Sequence, residues 1–201
     1  MTSREFTVNF DYRCPFARNA HEHVLAALEA GADYRVRFLP FSLSQAHVEE
    51  GGVPVWDNPD ELPNLVAVAA GIAVRDRFPT QFPAAHRALF AARHDESQDL
   101  RDESVVRKTL ERVGVDVDAV FADLAAGWPY ERFRAEHEDS VARHSAFGVP
   151  TFVLDEKAVF VRLMTRPDGD GARSIDTIDR VLSLISDHSE LNELKYTTIP
   201  R

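Results

Sequence analysis

A second cysteine is missing from this chain. Cys14 stands alone among 201 residues, so no disulfide can form within the chain and no dithiol can cycle to a disulfide inside it. Long apolar runs are missing as well, and none approaches the roughly 20 residues of a membrane-spanning helix. Basic charge is in deficit. The chain carries 23 Lys+Arg against 33 Asp+Glu, a formal net charge of -10. The acid excess is spread along the sequence, which makes nucleic acid and anionic membranes poor partners. There is no phosphate loop, dinucleotide fingerprint or nucleophilic serine elbow, no internal repeat and no low-complexity tract. The start, Met1-Thr2-Ser3-Arg4-Glu5, enters a strand pattern almost at once, so no signal peptide is expected. Together with the single cysteine this favours the cytoplasm. The length, with 44% hydrophobic and 28% charged residues, fits one globular domain or one domain carrying a sizeable insertion.

What is present begins with alternation. Phe6, Val8 and Phe10 predict a strand over residues 5–11. Pro15 suits the first turn of a helix, where a missing N–H costs nothing. That helix runs to about Ala30, and Gly31 is a C-cap candidate. Tyr34, Val36 and Phe38 alternate again up to Pro40. Strand, helix and strand within about 35 residues make a right-handed βαβ unit with parallel strands. Residues 49–63, with Gly51, Gly52, Pro54, Pro59 and Pro63, read as a loop. From Leu62 to Phe147 the period is helical. Leu62, Leu65, Val66, Ala69 and Ile72 share one face, and further helices follow up to Ala146. Thr151–Leu154 and Ala158–Val161 then read as a hairpin around Asp155-Glu156-Lys157. Ser174 is the expected cap of a last helix. The order βαβ, helices, ββα predicts an α/β protein of the thioredoxin-like fold with a helical insertion. Residues 1–48 and 147–201 would form the sheet domain, and residues 49–146 a lid over the sheet edge where Cys14 lies.

Two short segments carry chemistry. In Asp11-Tyr12-Arg13-Cys14-Pro15-Phe16-Ala17 the cysteine falls where a strand hands over to a helix, near the first free backbone N–H groups. Those donors and the helix dipole favour thiolate over thiol. Helix-terminal cysteines titrate from about 3.5 to 7.5, against roughly 8.5 for a free thiol. The sharp expectation is therefore an exposed, ionised sulfur at Cys14, with Pro15 and Phe16 beside it. The plain alternative is a buried small hydrophobe at a loop-to-helix junction. Thiol-redox folds use the same device with a second cysteine three residues on, where this chain has Ala17. In Val149-Pro150-Thr151 the proline either simply ends a helix or is a cis residue facing Cys14, leaving the Val149 backbone open to an extended partner.

Other candidates are weaker. His21 lies about 10 Å along the helix from Cys14, too far for direct proton transfer, and reads as a partly buried helix histidine. His21 and His23 point to different sides, and His137 and His144 have no third ligand in register, so no metal site is expected. Arg18, one turn past Cys14, could support a thiolate or an anionic substrate, or could be a solvated face. Asp168-Gly169-Asp170-Gly171 lacks the later ligands of a calcium loop and reads as a turn.

The sequence resembles the DsbA-type thioredoxin-like oxidoreductases, in particular their cytoplasmic FrnE-like branch. The resemblance rests on Phe10-Asp11-Tyr12-Arg13-Cys14-Pro15, Leu39-Pro40-Phe41-Ser42-Leu43, Ala85-His86-Arg87-Ala88-Leu89 and Phe147-Gly148-Val149-Pro150-Thr151-Phe152, in the family's order. It implies that Cys14 is the attacking cysteine and Pro150 a cis proline opposite it. Cys14-Pro15-Phe16-Ala17 departs from the family's Cys-Pro-x-Cys, so only monothiol chemistry remains. Three functions follow as expectations. The first is a thiol oxidoreductase acting on mixed disulfides or electrophiles, with glutathione or mycothiol as co-substrate and no bound cofactor. The second is a glutathione- or mycothiol-dependent transferase or isomerase, as in related branches with a serine near this position. The third is a non-catalytic peptide-binding module. An exposed apolar face on the insertion leaves a homodimer open.

Overall fold

The structure is a computed structural model that describes residues 4–198. The first strand, β1 (Arg4–Phe10), pairs in parallel with β2 (Tyr34–Pro40), and helix α1 (Pro15–Glu29) makes the crossover. Strands β3 (Thr151–Leu154) and β4 (Lys157–Phe160) form the hairpin, with β3 antiparallel to β1. The sheet order is β2-β1-β3-β4. Phe6 and Val8 of β1 and Phe152 of β3 project onto one face. There they pack with Ala20 and Val24 of α1 and with Ile178 and Leu182 of α8 (Gly171–Asp187). This is the alternation of the sequence turned into a core.

Between β2 and β3 run α2 (Leu43–Ala46), α3 (Leu62–Arg77), α4 (Phe82–His94), α5 (Glu103–Glu111), α6 (Val117–Ala125) and α7 (Trp128–His144). The loop read at residues 49–63 contains two single 3₁₀ turns, Val55–Asp57 and Pro59–Glu61. Helix α3 departs from the one-sided reading. Every residue from Leu65 to Val74 is buried, while Leu62 is exposed. The reason is position: α3 touches α4, α5, α6 and α7, so it has no solvent side, and its Ala-rich sequence lets neighbours approach all round.

The expected cap at Ser174 is also displaced. Helix α8 starts a turn earlier, with the Asp170 carboxylate accepting from the Arg173 N–H at 3.1 Å. Ser174 lies inside the helix, fully buried, with its hydroxyl 3.2 Å from His23 Nδ1. Asp168-Gly169-Asp170-Gly171 is the turn that leads into that helix, and Gly169 has φ of +92°.

The end of β1 and the helices between β2 and β3 are locked together at Tyr12. Its ring is buried, and its hydroxyl sits against α3 at Gly71, where an added Cβ would lie 2.5 Å from the oxygen. Gly71→Ala is expected to lower unfolding stability by about 1–3 kcal/mol through overpacking, read by urea denaturation. An unchanged midpoint would show that Tyr12 can move aside freely.

Candidate functional site

The turn between β1 and α1 is built by Asp11. Its buried carboxylate accepts from the Arg13 N–H (2.9 Å), the Arg13 guanidinium (2.8 Å) and the Leu43 N–H (3.0 Å). The Asp11 carbonyl accepts from the Cys14 N–H at 3.0 Å. The chain therefore turns sharply and delivers Cys14 to the N-cap of α1, in an extended conformation, with Pro15 at the first helical position. The sulfur accepts from the Ala17 N–H at 3.4 Å and donates its own proton to the Val149 carbonyl, also at 3.4 Å. The Val149–Pro150 peptide is cis, and Pro150 is buried. Cys14 and Val149 thus meet across 135 positions of sequence.

The expected exposure and ionisation of Cys14 are not found. The residue is 8% exposed and belongs to the apolar cluster that includes Tyr12, Ala17 and Val149. Burial pushes the Cys14 thiol up from its ordinary value. The Ala17 and Phe16 N–H groups and the Arg162 guanidinium oppose that rise, and Asp11 adds to it. Desolvation outweighs the helix N-terminus here because a thiolate would lose nearly all its water for a few weak N–H···S contacts. Nor is the Val149 backbone an open edge in this conformation: the residue is 2% exposed and its carbonyl already accepts the thiol proton. Pro15 is exposed and Phe16 half-buried.

Arg18 is neither free for an anion nor solvated. It is 5% exposed and bonds Glu22 at 2.8 Å and Asp95. Arg166 completes this four-membered cluster through Glu22 (2.6 Å) and Asp95 (3.4 Å). The arginine near the cysteine with no carboxylate partner among the described residues is Arg162. Its guanidinium lies 5.3 Å from the Phe16 ring centroid and 6.0 Å from that of Phe160. Sequence reading missed it because 148 positions separate it from Cys14; only its place just beyond the predicted hairpin hinted at it.

Behind Cys14 runs a buried chain of hydrogen bonds. Tyr12 Oη is 2.9 Å from His86 Nδ1, His86 Nε2 is 2.9 Å from His21 Nδ1, and His21 Nε2 is 3.0 Å from the Asn9 carbonyl. The carbonyl can only accept, which assigns the proton of His21 to Nε2, that of His86 to Nε2, and makes Tyr12 the terminal donor. All three side chains are buried, and His21, read as partly buried, is 0% exposed. Burial pushes His21 down to about 4 and His86 well below its ordinary value. His137 is a separate case. Its Nδ1 accepts from the Ser42 N–H at 3.1 Å, and burial pushes it down to about 4. No group of three or more possible metal ligands is found among the described residues.

Comparison with known proteins places the chain in a family: it belongs to the DSBA-like thioredoxin domains, whose model matches residues 6–183. No curated protein matches it. Solved structures with the same fold include a thioredoxin-like oxidoreductase from Silicibacter pomeroyi DSS-3, 22% identical, covering 88% of this chain and 85% of that one with a TM-score of 0.58. A 2-hydroxychromene-2-carboxylate isomerase is 18% identical, covering 92% and 99% with a TM-score of 0.62. The cytosolic disulfide reductase DsbM from Pseudomonas aeruginosa is 18% identical, covering 90% and 99% with a TM-score of 0.59; it has also been solved with GSH. At these identities the likeness is one of fold.

Two measurements check the electrostatics. Iodoacetamide alkylation of Cys14, followed against pH, is expected to show a midpoint above the ordinary thiol range; a midpoint below about 7 would mean that the helix N-terminus wins after all. Stability should also depend on acid. A histidine pushed down in the folded state binds fewer protons than its unfolded counterpart, so stability is full above about 6.5 and falls as pH drops from there toward about 4. Urea midpoints unchanged between pH 7 and pH 4.5 would contradict this.

Proposed function

We propose that this protein is a thiol oxidoreductase of the DsbA type that works with one cysteine and a low-molecular-weight thiol such as glutathione or mycothiol. One observation carries the reading: the Cys14 sulfur at the α1 N-cap faces the carbonyl of Val149, the residue before Pro150. Family membership supports the chemical class, and the GSH-bound neighbour supports a small thiol as partner. Composition supports the rest, since a lone cysteine has no resolving partner in its own chain. The cytoplasm, where such thiols are abundant, is the proposed location.

The chemistry balances without a second protein thiol. Cys14 loses its proton and its thiolate attacks a mixed disulfide R–S–S–G, forming a Cys14–S–S–G bond and releasing R–S⁻, which takes up a proton. A second molecule of the small thiol then attacks the Cys14-bound disulfide as thiolate. It releases Cys14 and leaves with the first as an oxidised dimer. The resting site holds Cys14 as a hydrogen-bonded neutral thiol, so the approaching partner has to displace the Val149 contact before attack.

The same neutral thiol favours a second reading. A cysteine that stays protonated can serve as a hydrogen-bond donor to an external thiolate, which then performs a transferase or isomerase reaction. The two readings part at the cysteine. Incubation with glutathione disulfide should place one glutathione on Cys14, detected by intact mass and removed by excess glutathione, and Cys14→Ser should carry none. No adduct on the wild-type protein, together with glutathione binding that survives in Cys14→Ser, would select the second reading.

A further inference from the structure

Arg162 is unusual in its surroundings. Among the described arginines only Arg37, Arg93, Arg132 and Arg162 form no ion pair. Of these four, only Arg162 acts electrostatically on Cys14. Its place is fixed by the backbone on both sides. The Val161 N–H donates to the Pro150 carbonyl at 3.0 Å, and Asn19 Nδ2 donates to the Leu163 carbonyl at 2.8 Å. The first bond ties the segment to the cis proline and the second ties it to α1. Between them the Arg162 side chain extends over the half-buried rings of Phe16 and Phe160.

A third ring completes the patch. Phe147 is 71% exposed, and its centroid lies 5.2 Å from that of Phe160. An exposed phenylalanine tilted against another at 41°, next to a guanidinium with no carboxylate partner among the described residues, leaves two unmet demands on one surface. The rings favour a flat apolar group. The guanidinium offers a planar fork of donors that matches a carboxylate. A chain with net charge of -10 otherwise repels anions, so an unpaired cation at this point sets a local preference against the general field.

We propose that Phe147, Phe160 and Arg162 form a subsite beside Cys14 for an aromatic group carrying a carboxylate, with the ring on the phenylalanines and the carboxylate on Arg162. The inference rests on the reading of Cys14 as the reacting thiol and names the kind of partner that reaches it. Arg162 selects the anion, and Phe147 supplies the platform. The disulfide or electrophile that Cys14 attacks then carries this group on the side away from the sulfur.

Binding can be read without turnover. 2-Naphthoate and its neutral counterpart 2-naphthamide are titrated against the full chain by isothermal calorimetry, and the rate of Cys14 alkylation by iodoacetamide is followed with and without saturating 2-naphthoate. The acid is expected to bind about tenfold more tightly than the amide and to slow alkylation. Arg162→Gln should erase the difference between the two, Arg162→Lys should retain part of it, and Phe147→Ala should weaken both compounds about fivefold. The two residues replaced, Phe147 and Arg162, are both exposed, so the fold should persist, and far-ultraviolet circular dichroism checks that. Equal affinity for acid and amide, or a preference that survives Arg162→Gln, overturns the subsite. Binding that leaves the alkylation rate unchanged overturns its placement beside Cys14. A failure of the glutathione adduct alone, with these binding results intact, would overturn the oxidoreductase reading and not the subsite.

Discussion

The hydrogen bond from the Cys14 thiol to the Val149 carbonyl joins the β1–α1 turn to the segment that leads into β3, at the point where both carry their distinguishing residues. It requires that β1 end in a tight turn, that α1 begin at once, and that the chain return to β3 beside it after the long helical excursion. The turn is held by the Asp11 carboxylate, the helix start by Pro15, and the return by Asn9. Asn9 donates to the Gly148 carbonyl at 3.3 Å and accepts from the Thr151 N–H at 2.6 Å. Remove the proper placement of any one and the sulfur loses its partner. The interaction also sets the chemistry of the resting state, because a thiol that donates a hydrogen bond while buried is held protonated.

The four sequence segments that carry the family resemblance converge on this bond. Leu43 N–H, from the segment after β2, completes the coordination of Asp11. His86, from α4, accepts the Tyr12 hydroxyl. Gly148, before β3, receives both Asn9 and the Thr151 hydroxyl. Their spacing along the chain therefore reflects one shared job, holding the residues around Cys14. The helices between β2 and β3 contribute through buried polar contacts as well as apolar area. The neutral Tyr12–His86–His21 chain satisfies every donor it buries, which is why such a network can sit in the core without loss of stability at neutral pH.

Much of the frame was legible because it is written locally. The alternation of Phe6, Val8 and Phe10, the Pro15 helix start and the alternation of Tyr34, Val36 and Phe38 each act within one element, and the observed strands and α1 follow them within a residue or two. Ser174 misled because an Asp four positions earlier is an equally good acceptor and the helix takes the first that fits. Helix α3 misled because periodicity reports one apolar face, whereas neighbours on all sides came from segments far along the chain. Arg18 misled, and Arg162 escaped the sequence reading, for the same reason. Which arginine meets Glu22 and Asp95, and which is left beside Phe16, depends on how α4 and the segment after β4 pack on α1.

The amino-acid sequence by itself determined that this protein has a single thiol, that this thiol sits at the junction of a strand and a helix, and that internal dithiol cycling is impossible. Those are facts of composition and of short-range spacing, fixed before any folding. Only the tertiary structure decided whether the thiol would be charged. The helix N-terminus pulls toward thiolate through contacts within three residues. Desolvation depends on everything packed around the sulfur, from Tyr12 to Val149, and in the folded chain this burial prevails and pushes the thiol up.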